Sequence, residues 1–221
     1  MTLLIKICGL STPDTLDVAL EAGADMVGFV FFPPSPRNIS FETARALGSR
    51  VKGQARKVAL TVDADDALIE KIIDALKPDM LQLHGHETRQ RVAAIRESFG
   101  LPVMKVLAIE TKADLAAIAP YTSIADRLLF DARPPRDATR PGGLGKPFDW
   151  HLLENLDLSI PFMLSGGLRA GNLAEALRIT RASGVDVSSG VERAPGVKDP
   201  DKIRAFIRAA RTSHVAGTAV G

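Results

Sequence analysis

The sequence holds one cysteine, Cys8, in 221 residues. An internal disulfide is excluded, and no CxxC pair with metal-ligand spacing can be written, so no metal is expected and a reducing, cytoplasmic setting fits. Aromatic residues are few as well, 5% of the chain with a single Trp and a single Tyr. None stands among Arg133, Arg136 and Arg140, as a stacking platform for nucleic acid would require. An excess of one charge sign is also lacking: 28 Lys and Arg against 26 Asp and Glu leave +2, too little for a strong nucleic-acid field. Long hydrophobic runs are absent. The opening MTLLIKICGL is broken by Lys6 and has no small-residue cleavage site, so neither a signal peptide nor a membrane span is expected.

What is present is a chain of 46% hydrophobic residues, enough for one compact domain with a sizeable core. Short, nearly continuous apolar runs begin near Leu3, Met26, Lys57, Met80, Pro102, Arg127, Pro161 and Val185, about 26 residues apart. Continuous rather than alternating runs mark parallel strands buried on both faces, and each interval fits one strand and one helix. Helix signals fall between the runs. Thr12 and Pro13 open one, Asn172 can cap another, and Asp199 with Pro200 opens a third. Eight such units predict a single-domain (β/α)8 TIM barrel over residues 1–211, with 212–221 a frayed tail lacking periodicity and caps. The rival, a doubly wound open sheet, has fewer strands and a glycine-rich first turn, whereas KICGLSTPD offers only Gly9.

In a barrel the chemistry sits at the strand C-termini. That rule selects Cys8 and Gly9, Arg37 in FPPSPRN, Asp63, QLHGHE, Lys105, Asp131, SGGL and SSGVE. The loop after strand six is the longest, from Asp131 to about Pro147 with Arg133, Arg136 and Arg140, and is read as a lid. Gly166 and Gly167, with Ser188, Ser189 and Gly190, bare backbone N–H groups at the two loops where barrels take phosphate; ordinary tight turns are the plain alternative. Cys8 is either a small buried hydrophobe or a catalytic thiolate with Lys6 as the nearby cation. Asp131 is a turn cap or a general acid, and Arg37 a solvated charge or a carboxylate clamp. His84 and His86 are read as solvated or core-satisfied.

Taken together, IKICGL, GFVFFPPSPRNI, LQLHG, LLFDA, GGLGKPFDW, LSGGL and DVSSGVERAPGVKD resemble the phosphoribosylanthranilate isomerase family, barrel enzymes of tryptophan biosynthesis, over about residues 3 to 210. The resemblance implies a cofactor-independent Amadori rearrangement by general acid/base catalysis. It implies Asp131 as the acid that opens the furanose ring and Cys8 as the base that removes the C2 proton. By the same transfer Arg37 holds the anthranilate carboxylate, Gly166, Gly167, Ser189 and Gly190 take the phosphate, Asp186 lies near the substrate, and Gln82, Gly143 and Gly145 line the pocket. A monomer or homodimer is expected. The sequence departs from the family pattern at Leu144, where Thr or Ser is commoner, and at His86, where an acidic residue is. Two other readings stay open. One is the related isomerase of histidine biosynthesis, whose barrels carry aspartates on strands one and five where this chain has Cys8 and Lys105; the other is a catalytically silent phosphometabolite-binding barrel.

Overall fold

The computed structural model describes residues 2–133, 142 and 147–218, with side chains to Ser213. Strands β1 (Leu4–Cys8), β2 (Met26–Phe31), β3 (Arg56–Thr61), β4 (Met80–Leu83), β5 (Val103–Ile109), β6 (Arg127–Ala132), β7 (Phe162–Leu164) and β8 (Gly184–Val187) form a closed barrel in that order. All eight neighbouring pairs are parallel, and β8 closes on β1 through Leu4 opposite Gly184 and Lys6 opposite Asp186. Every strand begins within one residue of the apolar run that signals it.

Alternation along the strands divides the core in two. Ile5, Ile7, Val27, Phe29, Leu128 and Phe130 turn outward onto the helices. The opposite face fills the barrel with Met26, Met80, Met104 and Met163 beside Val58, Val106 and Leu129. Four of the five methionines of the chain thus form this plug, where an unbranched side chain fits an irregular interior. Above it the same faces present Lys6, Cys8, Gln82, Asp131 and Asp186, so the plug forms an apolar floor beneath a polar mouth.

Helices α1 (Pro13–Glu21), α2 (Phe41–Arg50), α3 (Asp66–Leu76) and α4 (Arg89–Phe99) start from Thr12, Ser40, Asp65 and Thr88, whose side chains accept from the third residue's N–H. Helix α5 spans Leu173–Thr180 and α6 Pro200–Thr218. Three local expectations are corrected. The return from β5 to β6 is made of 3-10 turns at Lys112–Ala117 and Ala119–Tyr121, where Pro120 withholds an N–H and stops an α-helix. Asn172 does not cap α5; its side chain turns back to accept from Arg169 N at 2.8 Å and donate to Gly167 O at 3.0 Å. Residues 212–218, expected as a frayed tail, are helical. Arg211 anchors that end by donating to Leu3 O, Gly23 O and Asp25 Oδ2, and Thr212 and Ser213 donate to carbonyls one turn back. Between β8 and α6 a small antiparallel hairpin, β9 (Glu192–Ala194) and β10 (Val197–Lys198), rises over the mouth. Among the described residues no helix is long and apolar enough to cross a membrane.

Candidate active site

Cys8 ends β1 inside the mouth, 3% exposed, among Val30 and Leu60 with Phe32 and Val62 packed against them. Burial pushes its thiol above the ordinary value; Lys6 and Lys198 pull it down and Asp186 adds to the rise, and burial wins. Lys6, wholly buried one pleat below, donates to Asp186 Oδ1 at 2.9 Å. Asp186 therefore faces the interior, with one oxygen committed to Lys6. Gly28 on β2 makes room for this group: a Cβ there would lie 2.9 Å from Cys8 Sγ and 3.1 Å from Lys6 Nζ.

Asp131, 5% exposed, projects from β6 across the mouth. Its Oδ1 accepts from Ala132 N at 2.9 Å and its Oδ2 lies 3.4 Å from His84 Nε2. His84, read from sequence as a bystander, is only 12% exposed in its side chain and also meets Gln82 Nε2 at 3.4 Å through Nδ1. Gln82 Oε1 and His84 Nε2 are buried and have no hydrogen-bond partner among the described residues. Buried polar atoms of that kind are expensive unless something else engages them. Gly142 covers the acid so closely that a Cβ would stand 2.5 Å from Asp131 Oδ2 and 2.9 Å from the His84 ring. Gly143, Leu144 and Gly145, with Arg136 and Arg140, lie outside the described residues.

Arg37 reaches the mouth from the loop after β2, but its partner was not foreseen. Its Nε and Nη2 donate to Glu192 Oε1 and Oε2, both at 2.7 Å and both side chains buried. Glu192 also pairs with Lys198 at 2.8 Å, and Lys198 donates to Ser188 O and Oγ. Burial alone would raise the Glu192 carboxyl, but Arg37 and Lys198 more than offset it and hold it low. The guanidinium is thus fixed in plane by a carboxylate of the chain itself. Gly9, with φ +75°, lets it pass: a Cβ there would be 2.6 Å from Arg37 Cδ and 3.2 Å from Ser188 Oγ.

The loops after β7 and β8 meet where Gly190 approaches Leu168. Gly166 (φ +83°) and Gly167 (φ +66°) need the left-handed region, and a Cβ on Gly166 would strike Ala132 N at 2.6 Å. A Cβ on Gly190, beside Ser189, would stand 1.9 Å from Leu168 O, so the two loops fit only with a bare backbone there. Gly190→Ala is accordingly expected to cost roughly 1–3 kcal/mol of stability, read as a lower urea midpoint with unchanged slope, and to raise KM by spreading the two loops.

Two selected positions stand apart from the mouth. Lys105 lies on the outer face of β5, bonded to Gly85 O at 2.8 Å and Glu87 Oε2 at 2.6 Å. It therefore cannot occupy the role that a strand-five aspartate takes inside a barrel. Asp63 accepts from His86 N and holds the β3 and β4 loops together at the surface.

Residues 5–209 match the family model described as N-(5'-phosphoribosyl)anthranilate (PRA) isomerase. The chain is 68% identical over 213 residues, 96% of both proteins, to N-(5'-phosphoribosyl)anthranilate isomerase of Bradyrhizobium diazoefficiens. Its backbone is similar to the crystal structure of phosphoribosyl anthranilate isomerase from Thermotoga maritima, with a TM-score of 0.87 at 34% identity over 96% of this chain and 100% of that one. It is also similar to a phosphoribosyl anthranilate isomerase in complex with reduced 1-(o-carboxyphenylamino)-1-deoxyribulose 5-phosphate, with a TM-score of 0.83 at 32% identity over 96% and 100% of the two chains.

Proposed function

Because this chain belongs to the N-(5'-phosphoribosyl)anthranilate isomerase family, we propose that Cys8 and Asp131 are the general base and general acid of its reaction. It is an isomerase of L-tryptophan biosynthesis, converting N-(5'-phosphoribosyl)anthranilate to 1-(2-carboxyphenylamino)-1-deoxyribulose 5-phosphate. The observation that carries the assignment is the placement of one thiol and one carboxylic acid on the inner faces of β1 and β6, both nearly buried, above an apolar floor.

Asp131 gives its proton to the furanose ring oxygen; the C1–O bond breaks and the anthranilate nitrogen forms the Schiff base. Cys8 as thiolate then takes the proton from C2, and the electron pair moves toward the imine to give an enolamine that tautomerises to the ketone. Both steps are proton transfers next to an iminium, which well-placed groups of suitable protonation state perform without a cofactor. His84, against the acid, and Gln82 line the aglycone side. Arg37, oriented by Glu192, meets the anthranilate carboxylate. Gly166, Gly167, Ser189 and Gly190 receive the phosphate, which lies away from the reacting carbons and holds the opened chain in place. Asp186 lies beneath the ribose, and Gly143 and Gly145 are assigned to the pocket by the family resemblance alone. The cytoplasm is the compartment in which this pathway enzyme and its single unoxidised thiol belong.

The test is turnover by the purified protein. The anthranilate aminoaldose is consumed without added metal or cofactor, and the corresponding aminoaldose of histidine biosynthesis is not. Comparable turnover of the second substrate, or failure to restore growth without tryptophan to a strain lacking the isomerase, overturns the reading.

A further inference from the structure

The reaction as described leaves a fully buried ammonium without a task. Lys6 is 0% exposed and heads the largest wholly buried side chains, yet the layer below it is filled by methionines, unbranched and uncharged. Packing alone gives no reason for a charge here, and burying one is unfavourable unless it is paired. Its visible partner is Asp186, at 2.9 Å. Its second neighbour is the thiol: over Gly28, one point lies 2.9 Å from Cys8 Sγ and 3.1 Å from Lys6 Nζ, so the two groups share the space that the missing side chain leaves.

We infer that Lys6 is the positioning residue of the base: Asp186 holds its ammonium beside Cys8, where it serves as the counter-ion of the thiolate that takes the C2 proton. This rests on the reading of Cys8 as the base. The charged groups that bear on Cys8 come from three strands, Lys6 on β1, Asp186 on β8 and Lys198 on β10, while β2 contributes only Gly28. Lys198 is already tied to Glu192 and Ser188, and burial pulls its ammonium below the ordinary value. Burial pulls on Lys6 too, but Asp186 and Cys8 more than offset it and hold its ammonium above the ordinary value. Arg37 stands above Gly9 and is engaged by Glu192.

The sequence makes the test direct, because all thiolate absorbance belongs to Cys8. The full-length, ligand-free enzyme is titrated by its ultraviolet thiolate absorbance, with Cys8→Ala as the blank. Lys6→Met is expected to move the midpoint up by about one pH unit or more, and the ascending limb of kcat/KM against pH moves with it. Asp186→Asn is expected to move the midpoint down, since a negative charge is gone and the ammonium turns wholly to sulfur. A loosened barrel would not displace the two midpoints in opposite directions. A Lys6→Met midpoint at or below wild type, or an Asp186→Asn midpoint at or above it, overturns the inference; if Lys6→Met does not fold, the Asp186→Asn titration decides alone. Cys8→Ala with near-normal turnover would instead remove Cys8 as the base and leave the titrations standing.

Discussion

Asp131→Asn is expected to lower kcat by about 100- to 10,000-fold, the usual contribution of a positioned proton donor, with KM changed little. Asparagine has the same shape, and its amide oxygen still accepts from Ala132 N as Oδ1 does now. What it lacks is a proton that can be given to the ring oxygen. The packing around the site predicts that nothing else moves: His84 and Gly142 touch the carboxylate edge and meet an amide of equal size there. Unchanged circular dichroism and urea midpoint with a collapsed kcat is the expected pair of readings. A variant within threefold of wild-type kcat removes Asp131 as the acid.

An effect of similar size is expected from Cys8→Ser, about 100- to 10,000-fold in kcat/KM, for a different reason. Only the ionised form of this residue is a base, and a serine hydroxyl has no accessible anion near neutral pH. Burial places the thiol above its ordinary value, so in the free enzyme the thiol form predominates at pH 7 and the thiolate fraction grows with alkali. The sign follows: wild-type kcat/KM climbs as pH rises past neutrality, and that limb is absent in Cys8→Ser. A flat wild-type profile from pH 7 to about 9 would contradict the role, since a thiol displaced upward must still be titrating there. The serine variant retains the fold because the sulfur packs against only a few neighbours, Val30 and Leu60 among them.

The strand order and the placement of Cys8 and Asp131 at the mouth are legible in the sequence because each rests on a local rule. A buried parallel strand announces itself as an apolar run, and a residue that ends it points to the mouth. What the sequence withholds depends on contacts between distant segments. Glu192 as the holder of Arg37 joins residues 155 positions apart, and no spacing signals it. His84 sits in LHG, a piece too common to separate a ligand-facing ring from a packed one, until its approach to Asp131 is seen. Gly28 lies in the middle of an unremarkable apolar run, MVGFVF, and only the space over it reveals that Cys8 and Lys6 use the gap. Lys105 misled in the opposite direction: a one-residue step along β5 sends it to the helix side rather than into the barrel. Missing caps suggest a frayed tail after Arg211, whereas the helix continues to Thr218, the last described residue, with Arg211 tied to Leu3 O just before the first strand.

The seam between β1 and β8 sets a timetable for biosynthesis. Cys8 and Lys6 leave the ribosome early, but Asp186 and the strand that pairs with theirs follow 180 positions after Lys6. At ordinary elongation rates that interval is on the order of 10–40 s. Throughout it the nascent chain carries the edge of its first strand, a reactive thiol and a lysine with no carboxylate opposite. Closure of the ladder joins the two barrel strands farthest apart in sequence and is favoured only once β8 is available. Catalytic competence and protection of the sole thiol from oxidation therefore arrive together, in one late step.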